Sequence, residues 1–166
     1  MDSSARRILS VWLPLLPTDR LKRRWQACGR LDKRPLVIAG KVDNALRLTA
    51  VDTAAAQLGL FVGKALADSR AMVPAIAVMR ANETADRKLL EQIADWCERY
   101  TPFVALDSPH GLLLDITGVA HLFGGEQAML QESRRALTAQ KVSVRLALAG
   151  TAEAARALAR YKDGII

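Results

Sequence analysis

Four aspartates, Asp19, Asp52, Asp107 and Asp115, are the groups in this chain best suited to holding a hard divalent cation, because such ions take carboxylate oxygens. Each also has a structural role open to it. Asp19 stands at the start of an expected helix, Asp52 just before another, Asp107 in an expected turn between two strands and Asp115 on a strand. Carboxylates in such places are ordinarily caps and turn residues. His110 is a single imidazole without neighbouring ligands, which gives neither the charge nor the geometry for magnesium. His121 and Trp96 lie on apolar stretches and read as core. Cys28 and Cys97 form neither a disulfide framework nor a zinc site, and fit a reduced cytosol.

Cations are the other concentrated chemistry. Arg20, Lys22, Arg23, Arg24, Arg30, Lys33 and Arg34 flank a face carrying Trp25, either as a solvated helix surface or as a strip for phosphates or a partner's acidic surface. The net charge of +7 favours polyanionic partners. No apolar run approaches the ~20 residues needed to span a bilayer. The start, MDSSARR, leads only into a short apolar stretch broken by Pro14 and Pro17, so neither export nor membrane insertion is expected and a cytoplasmic location is.

The elements that must position these groups can be read from periodicity. Arg7 to Leu13 reads as a buried strand ended by Pro14, and a helix capped by Thr18 or Asp19 comes next, with Leu21, Trp25 and Cys28 on one face and Gly29 as its stop. Pro35 to Ala39 and Leu46 to Val51 form a hairpin around Gly40, Asp43 and Asn44. Between Thr53 and Val73, Gly59 and Gly63 split an alanine-rich stretch into two short helices. A strand at Ile76 to Met79 precedes a long helix capped by Asn82, whose Leu89, Leu90, Ile93, Trp96, Cys97 and Tyr100 make an apolar face. Strands at Phe103 to Leu106 and Leu112 to Ile116, an apolar turn at Val119 to Phe123, a helix from Glu126 to Gln140 and a strand from Val142 to Ala149 complete the pattern.

With the first strand in front, this gives β-α-β-β-α-β, a ferredoxin-like order in an α+β fold, with a small, mainly helical lobe inserted at residues 35–80. The chain ends as a new apolar segment begins, and reads as a piece of something longer.

A palm of this order split by an alanine-rich lobe resembles the palm and fingers of Y-family translesion DNA polymerases, the ImpB/MucB/SamB and UmuC/DinB-like proteins. Three stretches carry the resemblance: Trp12 to Thr18 after the first strand, Leu48 to Leu60 in the lobe, and Leu114-Asp-Ile-Thr with His121-Leu-Phe-Gly downstream. The start from Trp12 to Arg20, Trp-Leu-Pro-Leu-Leu-Pro-Thr-Asp-Arg, is similar to that of the ImuB-type branch. The resemblance implies that residues 1–34 are the first part of the palm, 35–80 a fingers-like lobe, and 81–166 the second part of the palm, before any thumb or little finger.

The resemblance also marks a departure. The family's metal-binding carboxylates fall on Trp12, Pro14, His110 and Gly111, and three of these four have no side-chain oxygen or imidazole to offer. Its triphosphate-holding tyrosine and arginine fall on Thr53 and Ala56, and of its two lysines one becomes Ala152 and the other the retained cation Arg156. With these groups replaced, the expectation is no catalytic residues, no metal and no cofactor, hence no enzyme, in a DNA-repair scaffold for damage-induced translesion synthesis. Its implied partners are DNA, held weakly by this fragment, an error-prone replicative-type polymerase, the sliding clamp through regions beyond residue 166, and an accessory mutagenesis protein.

Two further functions compete with that one. An active nucleotidyltransferase would use Asp19, Asp52, Asp107 and Asp115 as a displaced set, and a basic interaction module would share only the strand order. Gln57-Leu-Gly-Leu-Phe61 matches a clamp-binding peptide, but Gly59 falls where the family ends a helix, so Leu58, Leu60 and Phe61 are expected in the lobe's core.

Overall fold

The computed structural model describes residues 5–162 and 164–166. The first four residues, part of the start weighed as a leader, lie outside the described residues. The chain divides into two compact units, one of the described residues through Pro14 with Arg87–Ile166, the other Leu15–Asp86.

The first unit is built on a five-stranded sheet. Its strands are β1 (Ile8–Trp12), β5 (Val104–Asp107), β6 (Gly111–Asp115), β7 (Arg145–Ala149) and β8 (Gly164–Ile165), in the order β5-β6-β1-β7-β8. Strand β1 pairs antiparallel with both β6 and β7, and β5 pairs antiparallel with β6. Leaving β8 aside, this is the ferredoxin-like arrangement, with the first strand central between the third and fourth. The pairing of β1 with β6 withholds from the alternative of an unrelated module the support that a first strand lying away from Leu112 to Ile116 would have given it.

Flanking strands on both sides explain why β1 and β7 are apolar almost throughout, since neither face nor edge meets water. Leu9, Leu112, Leu114, Leu146 and Leu148 are all buried. Helix α4 (Glu83–Cys97) starts where Asn82 accepts the Ala85 N–H at 2.9 Å, and buries Leu90, Ile93 and Cys97. Helix α5 (Glu126–Ala139) comes after a 3-10 turn at Ala120–Phe123 and buries Met129 and Leu137. Helix α6 (Ala152–Tyr161) is capped by the Thr151 hydroxyl, which accepts the Ala154 N–H at 3.2 Å. Its Ala155 and Ala159 are fully buried, and Ala155 packs with Ile8 and Ala149, the absence of bulk letting the helix lie close on the strands. Strand β8, too short to leave a periodic signal, adds in parallel to β7.

The second unit contains α1 (Leu16–Ala27), β2 (Leu36–Val42), β3 (Ala45–Val51), α2 (Thr53–Gln57), α3 (Leu66–Met72) and β4 (Ala77–Arg80). Its sheet runs β3-β2-β4, an antiparallel hairpin with β4 added in parallel. The hairpin turns through Asp43 and Asn44, both at positive φ, which suits a two-residue turn. Residues 15–34 fall in this unit because Leu21 and Trp25 pack with Leu36, Ile38, Ala50 and Ala77. The lobe rests on a sheet more than on helices: α2 and α3 are short, interrupted by Gly59 and Gly63 at positive φ.

Helix α1 begins earlier than expected. Neither Thr18 nor Asp19 is its cap: Leu15 is, with no side-chain cap bond, and a proline sits in the first turn, where a missing N–H costs nothing. The Thr18 hydroxyl donates back to the Leu15 carbonyl at 3.0 Å.

Candidate functional site at one end of the five-stranded sheet

One row of residues crosses four strands at the end of the first unit's sheet. Trp12 faces Gly111 on one side and Arg145 on the other, and Gly111 faces Asp107. Directly paired residues project to the same face, so Arg145, Trp12 and Asp107 lie side by side with a gap at Gly111. The Leu13 N–H donates to the His110 carbonyl at 2.8 Å, which ties the β5–β6 turn to the end of β1. The Trp12 and His110 rings lie 5.9 Å apart. Of the sequence-derived positions, Trp12, His110 and Gly111 therefore meet, and Pro14 lies two residues after Trp12.

Helix α6 brings cations to this row. Its small residues face the strands, and Arg156 and Arg160, one turn apart, reach the row's end. Arg156 Nε donates to Asp107 Oδ1 at 3.0 Å, and Arg160 stands 3.5 Å from Asp107 Oδ2. The Arg160 guanidinium also lies 4.5 Å from the centre of the Trp12 ring, a cation–π distance. Arg145 donates to the Arg160 carbonyl at 2.7 Å and holds the end of α6. Sequence reasoning misses Arg145 and Arg160 as site residues and does not place Asp107 in this row. The four-residue spacing of Arg156 and Arg160 is the available signal, while Asp107, which reads as a turn residue, is the last residue of β5.

Gly111 is closely packed. A Cβ there would lie 3.0 Å from the Asp107 carbonyl oxygen and 3.3 Å from that of Val11, both backbone atoms that cannot swing aside. Ala152, the first residue of α6, is half-buried against the Ile8 cluster. Thr53 and Ala56 are exposed on α2 in the second unit.

The displaced set of aspartates is not assembled. Asp107 and Asp115 stand at opposite ends of the β5–β6 hairpin, roughly 13 Å apart by strand rise. Asp115 accepts from the Thr117 hydroxyl at 2.6 Å and its backbone N–H at 3.1 Å; the hydroxyl bond, with Arg6 in support, holds its carboxyl below the usual range. Asp52 belongs to the second unit, where it caps α2 by accepting the Ala55 N–H at 2.8 Å and takes Lys22 Nζ at 2.6 Å. Asp19 is buried in the first turn of α1, also in the second unit. Magnesium does not fit the donors at the strand-end row, because the one carboxylate there is engaged by two guanidinium groups. No group of three or more His, Cys, Asp or Glu able to hold a metal occurs among the described residues.

The model of the impB/mucB/samB family matches residues 22–160, most of the chain. The chain belongs to the impB/mucB/samB family. Within this family, the chain is 48% identical over 104 residues to Protein ImuB of Caulobacter vibrioides, strain NA1000 / CB15N, and equally to that of strain ATCC 19089 / CIP 103742 / CB 15. That match covers 63% of this chain and 23% of the curated relative, so the chain spans about a quarter of that protein's length in the aligned part. Among solved structures, the impB/mucB/samB chain superposes on an insertion ternary complex of Dbh DNA polymerase with a TM-score of 0.75 and on DinB from Sulfolobus solfataricus with 0.73. Each match has 14% identity and covers 96% of this chain and 48% of the other, which shows a shared fold.

These findings correct one expectation. The sequence suggests no enzyme, yet the solved structures that share this chain's fold include complexes of a DNA polymerase, so the fold gives that expectation no support. The physical premise behind that expectation is also too strong. It takes the strand-end row to be stripped of oxygen ligands, but Asp107 supplies a carboxylate in register with Gly111 and Trp12.

Among the described residues no helix is long and apolar enough to cross a membrane.

Proposed function

We propose that this chain is the palm-and-fingers part of a Y-family polymerase-like DNA-repair protein that serves damage-induced translesion synthesis as a scaffold in the cytoplasm. Its partners in that role are DNA, an error-prone replicative-type polymerase, the sliding clamp and an accessory mutagenesis protein. The observation that carries the reading is the 48% identity to Protein ImuB within an impB/mucB/samB family chain. It is supported by the strand-end row, where three of the positions to which the sequence resemblance assigns the family's metal ligands hold an indole, an imidazole and a glycine, backed by Arg145, Arg156 and Arg160. Aromatic and guanidinium groups of this kind suit contacts with phosphates, bases and partner surfaces.

The polymerase fold of the solved neighbours and the carboxylate of Asp107 favour a second reading, nucleotidyl transfer by the whole protein. One experiment separates the two. In a strain lacking the gene, damage-induced mutation frequency is measured with the full-length protein restored as wild type or as Asp107→Asn. The scaffold reading expects Asp107→Asn to restore mutagenesis fully, with no magnesium-dependent binding of deoxynucleoside triphosphate by calorimetry. Loss of mutagenesis in a folded Asp107→Asn protein, with such nucleotide binding in the wild type, would overturn it. Binding of DNA by this chain alone should be weak, independent of sequence and abolished by salt.

A further inference from the structure

The helix-to-strand connection of the second unit carries chemistry that the strand-end row does not use. Between Asp19 and Arg34 the sequence holds seven cations against two carboxylates. Where α1 ends and the chain runs to β2, a cleft of about 220 Å³ opens, lined among others by Lys22, Trp25, Arg30, Leu31, Asp32 and Lys33. Its wall is the Trp25 side chain, which is 8% exposed and has the Arg30 guanidinium 4.5 Å from its ring centre. At its mouth, Leu31 is 83% exposed and adds nothing to any core.

The charges at this cleft do not cancel. Asp32 is already committed: Arg34 grips it through Nε at 3.1 Å and a second guanidinium nitrogen at 2.8 Å, and Arg30 adds a bond at 3.1 Å. The Arg34 bonds hold the Asp32 carboxyl well below the ordinary carboxylate range, so it stays ionised and locked to its arginines. Lys33 is exposed and has no carboxylate within ion-pair distance among the described residues. The cleft thus offers unspent positive charge beside an exposed leucine and a buried indole.

We propose that this cleft is a docking site for a short acidic peptide of a partner protein, which sets a carboxylate against Lys33 and Arg30 and an aliphatic or aromatic side chain against Leu31. Two observations favour a peptide over a nucleic-acid strand. The Trp25 face is covered by Arg30, so no base can stack on it. The volume is below the ~300 Å³ at which pockets for drug-sized ligands begin, and suits one or two side chains. Recognition of acidic motifs by cationic clusters with an apolar anchor is an established mode of peptide binding. The inference is independent of the translesion reading, since all of its residues lie on α1 and the connection after it, within one unit.

The test uses the whole chain and a fluorescein-labelled peptide, acetyl-Glu-Asp-Glu-Leu-Phe, monitored by anisotropy, with a Gln-Asn-Gln-Leu-Phe peptide and oligothymidylate as comparison probes. The acidic peptide should bind, and the amide peptide should bind about tenfold more weakly or worse. Lys33→Glu and Leu31→Ser, both at exposed positions and checked by circular dichroism, should each weaken the acidic peptide by about tenfold. Absence of acidic-peptide binding, indifference to both substitutions, or oligothymidylate displacing the peptide with Lys33→Glu removing oligothymidylate binding would each overturn the proposal.

Discussion

Strand β1 in the first unit and strand β3 in the second are both apolar, but they meet water differently. Four of the five residues of β1 are buried, whereas β3, at the edge of its sheet, buries two of seven. A strand paired on both sides and covered on both faces leaves charged groups only its ends, and within β1 the one polar side chain away from them is the small, buried Ser10. That is why the chemistry of the first unit gathers in one terminal row, Arg145, Trp12, Gly111 and Asp107. The edge strand of the lobe instead alternates, and its surroundings leave Leu46, Phe61, Val62 and Met72 exposed. The first unit thus keeps its chemistry at one end of its sheet, whereas the edge strand of the lobe leaves side chains exposed along its length.

The difference is easiest to break with a core truncation. Leu9→Ala removes a side chain that is 1% exposed at the centre of the five-stranded sheet and should cost about 2–5 kcal/mol in chemical denaturation. Leu46→Ala, at 58% exposure, should change stability by less than ~0.5 kcal/mol. If both cost the same, β3 is not the exposed edge described.

A glycine pair sharpens the contrast. Gly111 and Gly40 each sit in a strand, but a Cβ at Gly111 meets two backbone oxygens, whereas one at Gly40 meets the Thr49 methyl at 3.1 Å and the Ala81 Cβ at 3.3 Å. Backbone oxygens in a paired sheet cannot yield, while a threonine side chain can turn. Gly111→Ala should therefore destabilise by about 1–3 kcal/mol and Gly40→Ala by less, measured as the shift in urea midpoint. Equal shifts would mean that the strand-end row is looser than its register implies.

The same contrast explains what is legible in the sequence. Doubly buried strands and capped helices announce themselves: Ile8 to Val11, Leu146 to Ala149 and the Asn82 cap can all be read from apolar runs and turn chemistry. Local competition does not. The expected start of α1 is misplaced because the Thr18 hydroxyl bonds backward to Leu15 instead of forward to an N–H. Leu58 and Phe61, expected in the core, are 48% and 58% exposed, and only Leu60 turns inward after Gly59 reverses the chain at φ 82°. At the strand-end row, the motifs locate Trp12, His110 and Gly111. They do not locate Arg145 and Arg160, because the convergence of these two depends on how closely α6 can lie on β1, which Ala155 and Ala159 decide in three dimensions.

Two carboxylates extend the comparison to charge. Asp52 is 2% exposed and serves at once as the α2 cap and the partner of Lys22, while Asp107, at 14%, holds two arginines and caps nothing. Asp52→Ala should cost about 1–2 kcal/mol, chiefly through the lost cap, because Lys22 is exposed enough to regain water. Asp107→Asn keeps an acceptor for Arg156 and should cost about 1 kcal/mol or less. A larger loss at Asp107 than at Asp52 would show that the arginine clamp, not the buried strands, secures the end of the first unit.

The smallest expected effect is a pH dependence at the opposite end of the β5–β6 hairpin. The Thr117 hydroxyl, its backbone N–H and Arg6 favour ionised Asp115, so its folded-state pKa lies below its unfolded value. The unfolded chain therefore takes up the proton first as pH falls. The stabilisation is present in full above the unfolded carboxylate pKa near 3.9 and is lost as pH drops through the folded value. Thr117→Val removes the hydroxyl donor and leaves the backbone one, so the variant should lose less stability than wild type between pH 5 and the acid limit, in urea titrations at stepped pH. No change in the acid limb of the Thr117→Val curve would place the hydrogen-bonding burden on the backbone N–H and Arg6 alone.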